Sequence, residues 1–332
     1  LVGGAALVHD IGHAPLSHTG EGIFGLHLEA WPGRLIRHHQ EIHECLQSDA
    51  SGTAEAVANL LEHGRSPHPL IKHLVSSQLD CDRLDYLLRD SYSTGTRYGQ
   101  LDLDRILGAL TLAPDGDMAI HPKGLMAVEH YLVVRNLMYR SVYNHRLNVV
   151  CNWLLEKLIL TARQLGPEQV WADEVMANWL WQPDQIPLED FLANDDQRTG
   201  YHLQRWQAEA PAALAELSGR FLDRRLLKAT AVEHLSPADQ LQLLATARRL
   251  ADRHGHDPEL CCGLRHQQLR GYHPYRGGLR LWDGQQLQAL EKASPLVASL
   301  ATPAATSWLI HPRDISNELR QEMDVEWPRA AA

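Results

Sequence analysis

The sequence predicts an all-α protein, a helical bundle with one small β hairpin and a mostly helical C-terminal region. Three observations carry that prediction. Apolar residues recur every three to four positions through most of the 332 residues, between Pro and Gly punctuation. One short stretch, Leu110 to Ile120, alternates with period two around Pro114-Asp115-Gly116, which reads as a hairpin. No internal repeat or low-complexity tract interrupts the pattern, and the length permits an ample core.

Element by element, Leu1 to Val8 reads as the end of a buried helix, with Gly12 and Pro15 turning the chain. Residues 20–33 read as a Gly-rich loop. Helices follow near 36–48, 53–63, 68–76 and 78–90. Thr53 is the expected cap of the second, Glu55 lies in its first turn, and Val57, Leu60 and Leu61 form its apolar face. Two long helices fit 123–145 and 147–165, the latter stopped by Gly166-Pro167. Shorter helices then run between Pro183, Pro187, Pro211 and Pro237. Residues 272–282 read as loop with a strand, and 306–311 as a segment able to pair with it.

Composition narrows the function classes. The formal charge of −10 argues against a surface that coats nucleic acid, though a local basic pocket is compatible with it. No apolar run approaches 18 residues, so no membrane span is expected. The five cysteines have no paired spacing and no C-x-x-C, which fits a reducing, cytoplasmic setting. Leu1 to Val8 lacks the charged start and cleavage site of a signal peptide, and the chain reads as truncated at its N-terminus. Histidine is abundant, 20 residues, and three segments gather the chemistry.

The first is His9-Asp10-Ile-Gly-His13-Ala-Pro-Leu-Ser17-His18. An adjacent imidazole and carboxylate at a helix end, followed by two more imidazoles, offers metal ligands and proton-transfer groups together. The second, Asp80-Cys-Asp82-Arg83-Leu-Asp85-Tyr86-Leu-Leu-Arg89-Asp90, puts Asp82, Tyr86 and Arg89 within about 60° on a helix, with Asp90 next to Tyr86. Leu84, Leu87 and Leu88 take the other side. A solvated salt-bridged face is the usual fate of such a run, but Tyr86 amid the charges suits a pocket. The third, Arg135-Asn-Leu-Met-Tyr139-Arg140-Ser-Val-Tyr143-Asn144-His145-Arg146, aligns Arg135, Tyr139, Tyr143 and Arg146 in a stripe about 80° wide. Guanidiniums separated by phenols suit a polyphosphate with a sugar or base.

Together the strings resemble the HD-domain phosphohydrolases, and within them the deoxynucleoside triphosphate triphosphohydrolases of the sterile-alpha-motif/HD kind and their bacterial relatives. The first string matches H-D-x-G-H-x-P-x-S-H, the second D-x-D-[KR]-x-D-Y-x-x-R-D, and the third is close to R-N-x-x-x-R-x-x-Y-x-H-[KR]. The resemblance assigns 1–165 to the HD domain and 166–332 to a helical C-terminal region, with an echo to about 230 at Arg224-Arg225-Leu-Leu-Lys228.

By that resemblance, His9, Asp10 and Asp82 hold a divalent metal ion (Mn, Fe, Zn, Ni or Mg), and a fourth ligand, a histidine, would precede Leu1. Without it the chain as given is expected to bind metal less tightly, and the fragment to be weak or inactive. The resemblance makes His18 the general acid and has His13 and His39 orient phosphate. It lines the substrate with Arg83, Tyr86, Arg135 and Asn144, bonds the sugar 3′-hydroxyl to Asp90, and packs Tyr143 against the sugar. At His39-Gln40-Glu41 the usual Glu after His is a Gln, unless the register slips to Glu41; His38 and His43 read as surface residues. The implied reaction is hydrolysis of a deoxynucleoside triphosphate to deoxynucleoside and triphosphate. The implied partners are an activating nucleotide near His145, Arg224 and Lys228, and further copies of the chain in a homo-oligomer. Two alternatives stay open: an HD-type nucleotide phosphatase or phosphodiesterase of other specificity, and a nucleotide-binding regulator without turnover.

Overall fold

Helix boundaries follow residues that have a local reason to start or stop a helix. The computed structural model describes residues 1–25, 30–48, 50–274 and 278–323. Helix Cys81–Thr94 begins at Asp80, whose carboxylate accepts from the Arg83 backbone N–H at 2.8 Å. It ends at Gly95, in the left-handed region with φ 71°. Helix Arg146–Leu165 starts on His145, whose ring accepts from the Leu147 N–H, and stops at Gly166 as expected.

Several expected boundaries move. The helix over 36–48 is two helices, Trp31–His38 and Gln40–Gln47, because His39 takes an extended backbone (φ −83°, ψ 116°). The His43 ring bonds the Ile36 carbonyl at 3.1 Å across that break, so His43 is a half-buried brace and not a surface residue. The expected loop over 20–33 is helical where it is described, in His18–Phe24 and from Trp31 onward; its middle, 26–29, lies outside the described residues. Gly20 is required there by close approach, since a Cβ would lie 1.8 Å from the Pro15 carbonyl oxygen. Helix Thr53–His63 matches, but its cap is Gly52 at φ 84°, one residue before Thr53. The helix over 123–145 is Leu125–Met138, followed by a single π-helical turn, Tyr139–Tyr143.

The chain is mainly helical, yet it carries more strand than one hairpin. The strands among the described residues are β1 (Leu110–Leu112), β2 (Met118–Ile120), β3 (Lys228–Ala231), β4 (Gly263–Leu269), β5 (Arg280–Trp282), β6 (Leu287–Ala289) and β7 (Ala304–His311). The expected hairpin is β1–β2, antiparallel, with Leu110 opposite Ile120. It is extended by β5, parallel to β2, and then by β6. The second sheet has the order β3-β7-β4. The segment over 306–311 therefore pairs with β3 and β4 and not with 272–282. Leu309 and Ile310 are wholly buried, so β7 is a central strand needing a partner on each edge, while three-residue β5 already has β2 and β6.

Packing divides the chain into two compact units, each built from three stretches. One comprises 1–13, 27–143 and 270–303. Its cores are a cluster around Leu87, Tyr131, Leu132, Tyr272 and Leu290 and a smaller one around Ile36, Val57 and Ala58. The other comprises 14–26, 144–269 and 304 onward, with a core that includes Leu243, Ala247, Leu250 and Leu309.

Candidate metal and phosphate site

Helix Val2–Val8 delivers His9 at its C-terminal end, where carbonyls lack intrahelical partners. The His9 ring uses one of them: Nδ1 donates to the Ala6 carbonyl at 2.7 Å. A carbonyl only accepts, so the proton sits on Nδ1 and the neutral ring presents a lone pair at Nε2. That atom is buried, makes no hydrogen bond among the described residues, and lies 3.2 Å from Asp10 Oδ1 and 3.6 Å from Asp82 Oδ1. The donor atoms of His9, Asp10 and Asp82 all fall within 4.8 Å of one another. Two ligands about 2.1 Å from a common ion and 90–110° apart are about 3.0–3.4 Å from each other, so these spacings suit one divalent ion. Converging lone pairs and carboxylate charges repel one another; a cation removes that penalty. The residues fit a metal.

The surroundings hold these ligands in place. His13 Nε2 lies 3.1 Å from Asp10 Oδ1 and orients that carboxylate, the usual role of a group behind a metal ligand. Burial raises the pKa of Asp82, His9 opposes this, and Asp10 and Asp80 push the same way as burial. A bound cation would offset that cost. Asp80 is 1% exposed and accepts from the backbone of Ser77 and Arg83 and from the Arg83 guanidinium. Burial works against the Arg83 charge, but Asp80 together with Tyr86, Tyr131 and Tyr139 outweighs it and keeps the guanidinium above its ordinary range.

Beside this pair, the third motif supplies a second cation and an aromatic wall. Arg135 is 6% exposed, lies 5.5 Å over the Tyr139 ring, and has a buried Nη1 without a hydrogen bond among the described residues. Tyr139 meets Tyr143 edge-on at 5.1 Å, and Tyr143 meets Tyr86 likewise at 6.0 Å. The Tyr143 hydroxyl donates to Asp90 Oδ2 at 2.6 Å. Burial, then Asp90, raises the Tyr143 pKa, and burial raises that of Tyr86, so both phenols stay protonated. The predicted stripe thus holds through Tyr143. Arg146 leaves it, because the π turn and the extended His145 place it at the start of the next helix.

The remaining expected residues are less gathered. His39 is half-buried at the break between its two helices, while Gln40 is exposed and bonds Glu44. His18 opens helix His18–Phe24 in the second unit, 81% exposed and 3.8 Å from Glu21. Leu16 and Ser17 precede it with φ 64° and 55°, a strained pair for residues with side chains. Asn144 is half-buried just after the π turn. Of the residues expected near an activating nucleotide, His145 is engaged as a cap. Arg224 has φ 55°, and burial, Arg320, Arg313 and Arg146 lower the pKa of Lys228.

Residues 101–311, well over half of the chain, match the family model described as the HD associated region. The uncharacterized protein YwfO of Bacillus subtilis (strain 168) is 30% identical over 321 residues, 94% of this chain and 73% of that protein. The chain belongs to the HD-domain phosphohydrolase family. A crystal structure of a phosphohydrolase from Bacteroides thetaiotaomicron is similar to this HD-domain protein in fold, with TM-score 0.79 and 24% identity, covering 93% of this chain and 78% of that one. The metal-dependent phosphohydrolase cns2 of Cordyceps militaris is 33% identical over 122 residues, 35% of this chain and 32% of that protein. The HD family implies a divalent metal, and no helix here is long and apolar enough to cross a membrane. The match to residue 311 extends past the echo that fades near 230 in the motifs.

Sequence reasoning missed Asp80 and Gln78. Asp80 stands in the motif, but its task is to cap the helix and pair with Arg83; an Asp directly before a helical pattern was the available signal. Gln78 carries no motif signal at all, yet its amide bonds both backbone groups of His273, 195 residues away.

Proposed function

We propose that this HD-domain protein hydrolyses deoxynucleoside triphosphates to deoxynucleoside and inorganic triphosphate. The observation that carries the reading is the adjacency of a three-donor metal group to two guanidiniums, one half-buried and one buried, and a phenol–carboxylate pair. His9, Asp10 and Asp82 would hold the ion, which when bound supplies Lewis acidity and activates water. His13 keeps Asp10 oriented toward the ion. Arg83 and Arg135 bind phosphate oxygens, and their orphaned N–H groups have hydrogen bonds to give. Asp90 accepts from the 3′-hydroxyl, the Tyr143 ring packs against the sugar, and Tyr86 and Asn144 complete the lining. Water adds to the α-phosphorus, the bond to the 5′-oxygen breaks, and His18 gives that oxygen its proton. His39 orients a phosphate oxygen.

Cleavage at that bond has a direct signature. Ion-exchange chromatography of a dGTP digest should show deoxyguanosine and triphosphate in equal amounts from the first time point. Accumulation of dGDP would place cleavage at the outer phosphates and make the protein an HD-type phosphatase of other specificity. The reading includes a homo-oligomer and an activating nucleotide near Arg224 and Lys228. Light scattering with and without dGTP tests both, and a monomer under each condition would reject them.

A further inference from the structure

The stretch Arg270–His273 lies far beyond the HD motifs in sequence but belongs to the same compact unit. Three contacts fix it there. Gln78 donates Nε2–H to the His273 carbonyl at 2.5 Å and accepts the His273 N–H at 2.7 Å. Gly271 lies so close to Asn136, the residue after Arg135, that a Cβ would sit 3.2 Å from three of its atoms. Tyr272 is wholly buried: its N–H donates to the Leu300 carbonyl at 3.1 Å, and its hydroxyl accepts from the Leu279 N–H at 2.8 Å.

Each anchor is backbone, a glycine or Tyr272, so none uses the side chains of Arg270 and His273, which are both exposed. His273 stands within charge–charge range of Arg83, Arg135 and Arg270, and burial together with those cations lowers its pKa. Three guanidiniums and an imidazole thus share one neighbourhood, in a chain of net charge −10. Asp80 is the carboxylate paired with Arg83, while Arg135 is 6% exposed with Nη1 unbonded among the described residues. Three guanidiniums and an imidazole in one neighbourhood favour an anion that carries several charges.

We propose that Arg270 and His273 bind the polyphosphate of the substrate together with Arg83 and Arg135, the anchored stretch 270–273 serving as a wall of the phosphate pocket. The inference rests on the reading of this site as a polyphosphate site. Arg270 adds a forked donor, and His273 adds a ring N–H in its neutral form and a second N–H and a charge when a phosphate offsets the neighbouring cations. Gln78 is the positioning residue, since it holds the backbone that carries both.

Calorimetric titration of the full chain with inorganic tripolyphosphate tests this without turnover. Arg270→Ala and His273→Ala should each weaken binding roughly tenfold, the loss of one charge-assisted hydrogen bond, while thermal midpoints stay at the parent value. Arg270→Lys should retain most of the affinity. Parent-like binding by both alanine variants, with binding lost in Arg135→Ala, overturns this inference and leaves the polyphosphate reading intact. A parent protein that neither binds tripolyphosphate nor turns over any deoxynucleoside triphosphate overturns that reading, and this inference with it.

Discussion

At the scale of single residues, the site depends on which atom of a ring carries a proton. The Ala6 carbonyl commits His9 Nε2 to act as an acceptor, and Asp10 and Asp82 stand opposite it. Asp82→Asn should therefore lose most of its metal through dialysis, because a neutral amide is a far poorer ligand for a hard cation. Elemental analysis showing parent-like metal content in that variant would remove Asp82 from the ligand set. His18→Ala should lower turnover about 10²–10⁴-fold if the ring is the acid, and a loss of only a few-fold in steady-state kinetics would make it structural. Tyr143 serves two tasks that two substitutions separate. Tyr143→Ala should narrow the dGTP/GTP ratio of kcat/KM, which close packing sustains at about 10²-fold. Tyr143→Phe keeps the ring and should preserve the ratio while releasing Asp90 from its 2.6 Å hydrogen bond. An unchanged ratio in the alanine variant would mean that the ring is packing alone.

At the scale of elements, helix Cys81–Thr94 is fastened at its first residue. Asp80→Ala would remove the cap, at a cost of about 1 kcal/mol, and strand the Arg83 guanidinium, for which about 3–5 kcal/mol is typical of a broken buried pair. Asp80→Asn can still cap and should cost less, so the fall in thermal midpoint should be clearly larger for Ala; equal falls would show that the ion pair outweighs the cap. The same element shows what the sequence made legible. Leu84 and Leu87 face the core as the helical period requires, and the motif acids and Arg83 lie on the polar side. The metal group was legible because its members come in two short strings. What stayed hidden depends on distant partners: the break at His39, the π turn after Met138, and β5 beside β2. A period of 3.6 does not reveal a single wide turn, and a three-residue strand has too few positions to show alternation.

At the scale of the whole molecule, stability carries a pH dependence from a group far from the motifs. His311 in β7 is wholly buried, and burial lowers its pKa to about 4; Lys228 and Arg320 push the same way, while the bond to the Pro312 carbonyl and Asp314 oppose it. Its ring is satisfied while neutral: Nδ1 donates to Pro312 O at 2.7 Å, and Nε2 lies 3.1 Å from the Thr230 hydroxyl. Above pH ~6.5 neither the folded nor the unfolded chain protonates it. As pH falls from there toward about 4, only the unfolded chain takes up the proton, so stability falls, by about 3 kcal/mol in all. His311→Gln should flatten this part of the profile in denaturant titrations at pH 7.5 and 4.5; an undiminished slope would assign it to other groups. The interleaving of the two units has a different consequence, one that belongs to synthesis. Tyr143 and Arg270 are 270 − 143 = 127 positions apart, and both belong to the unit that holds the metal group. At roughly 5–20 residues per second, a ribosome needs about 6–25 s to cover that distance. Once Arg146 is made, the nascent chain has all its motif residues but not Tyr272, Leu281, Leu290 or Val297, which complete their core. The Gln78 amide likewise waits for His273. A chain that stops between those points would carry His9, Asp10 and Asp82 with an unfinished core.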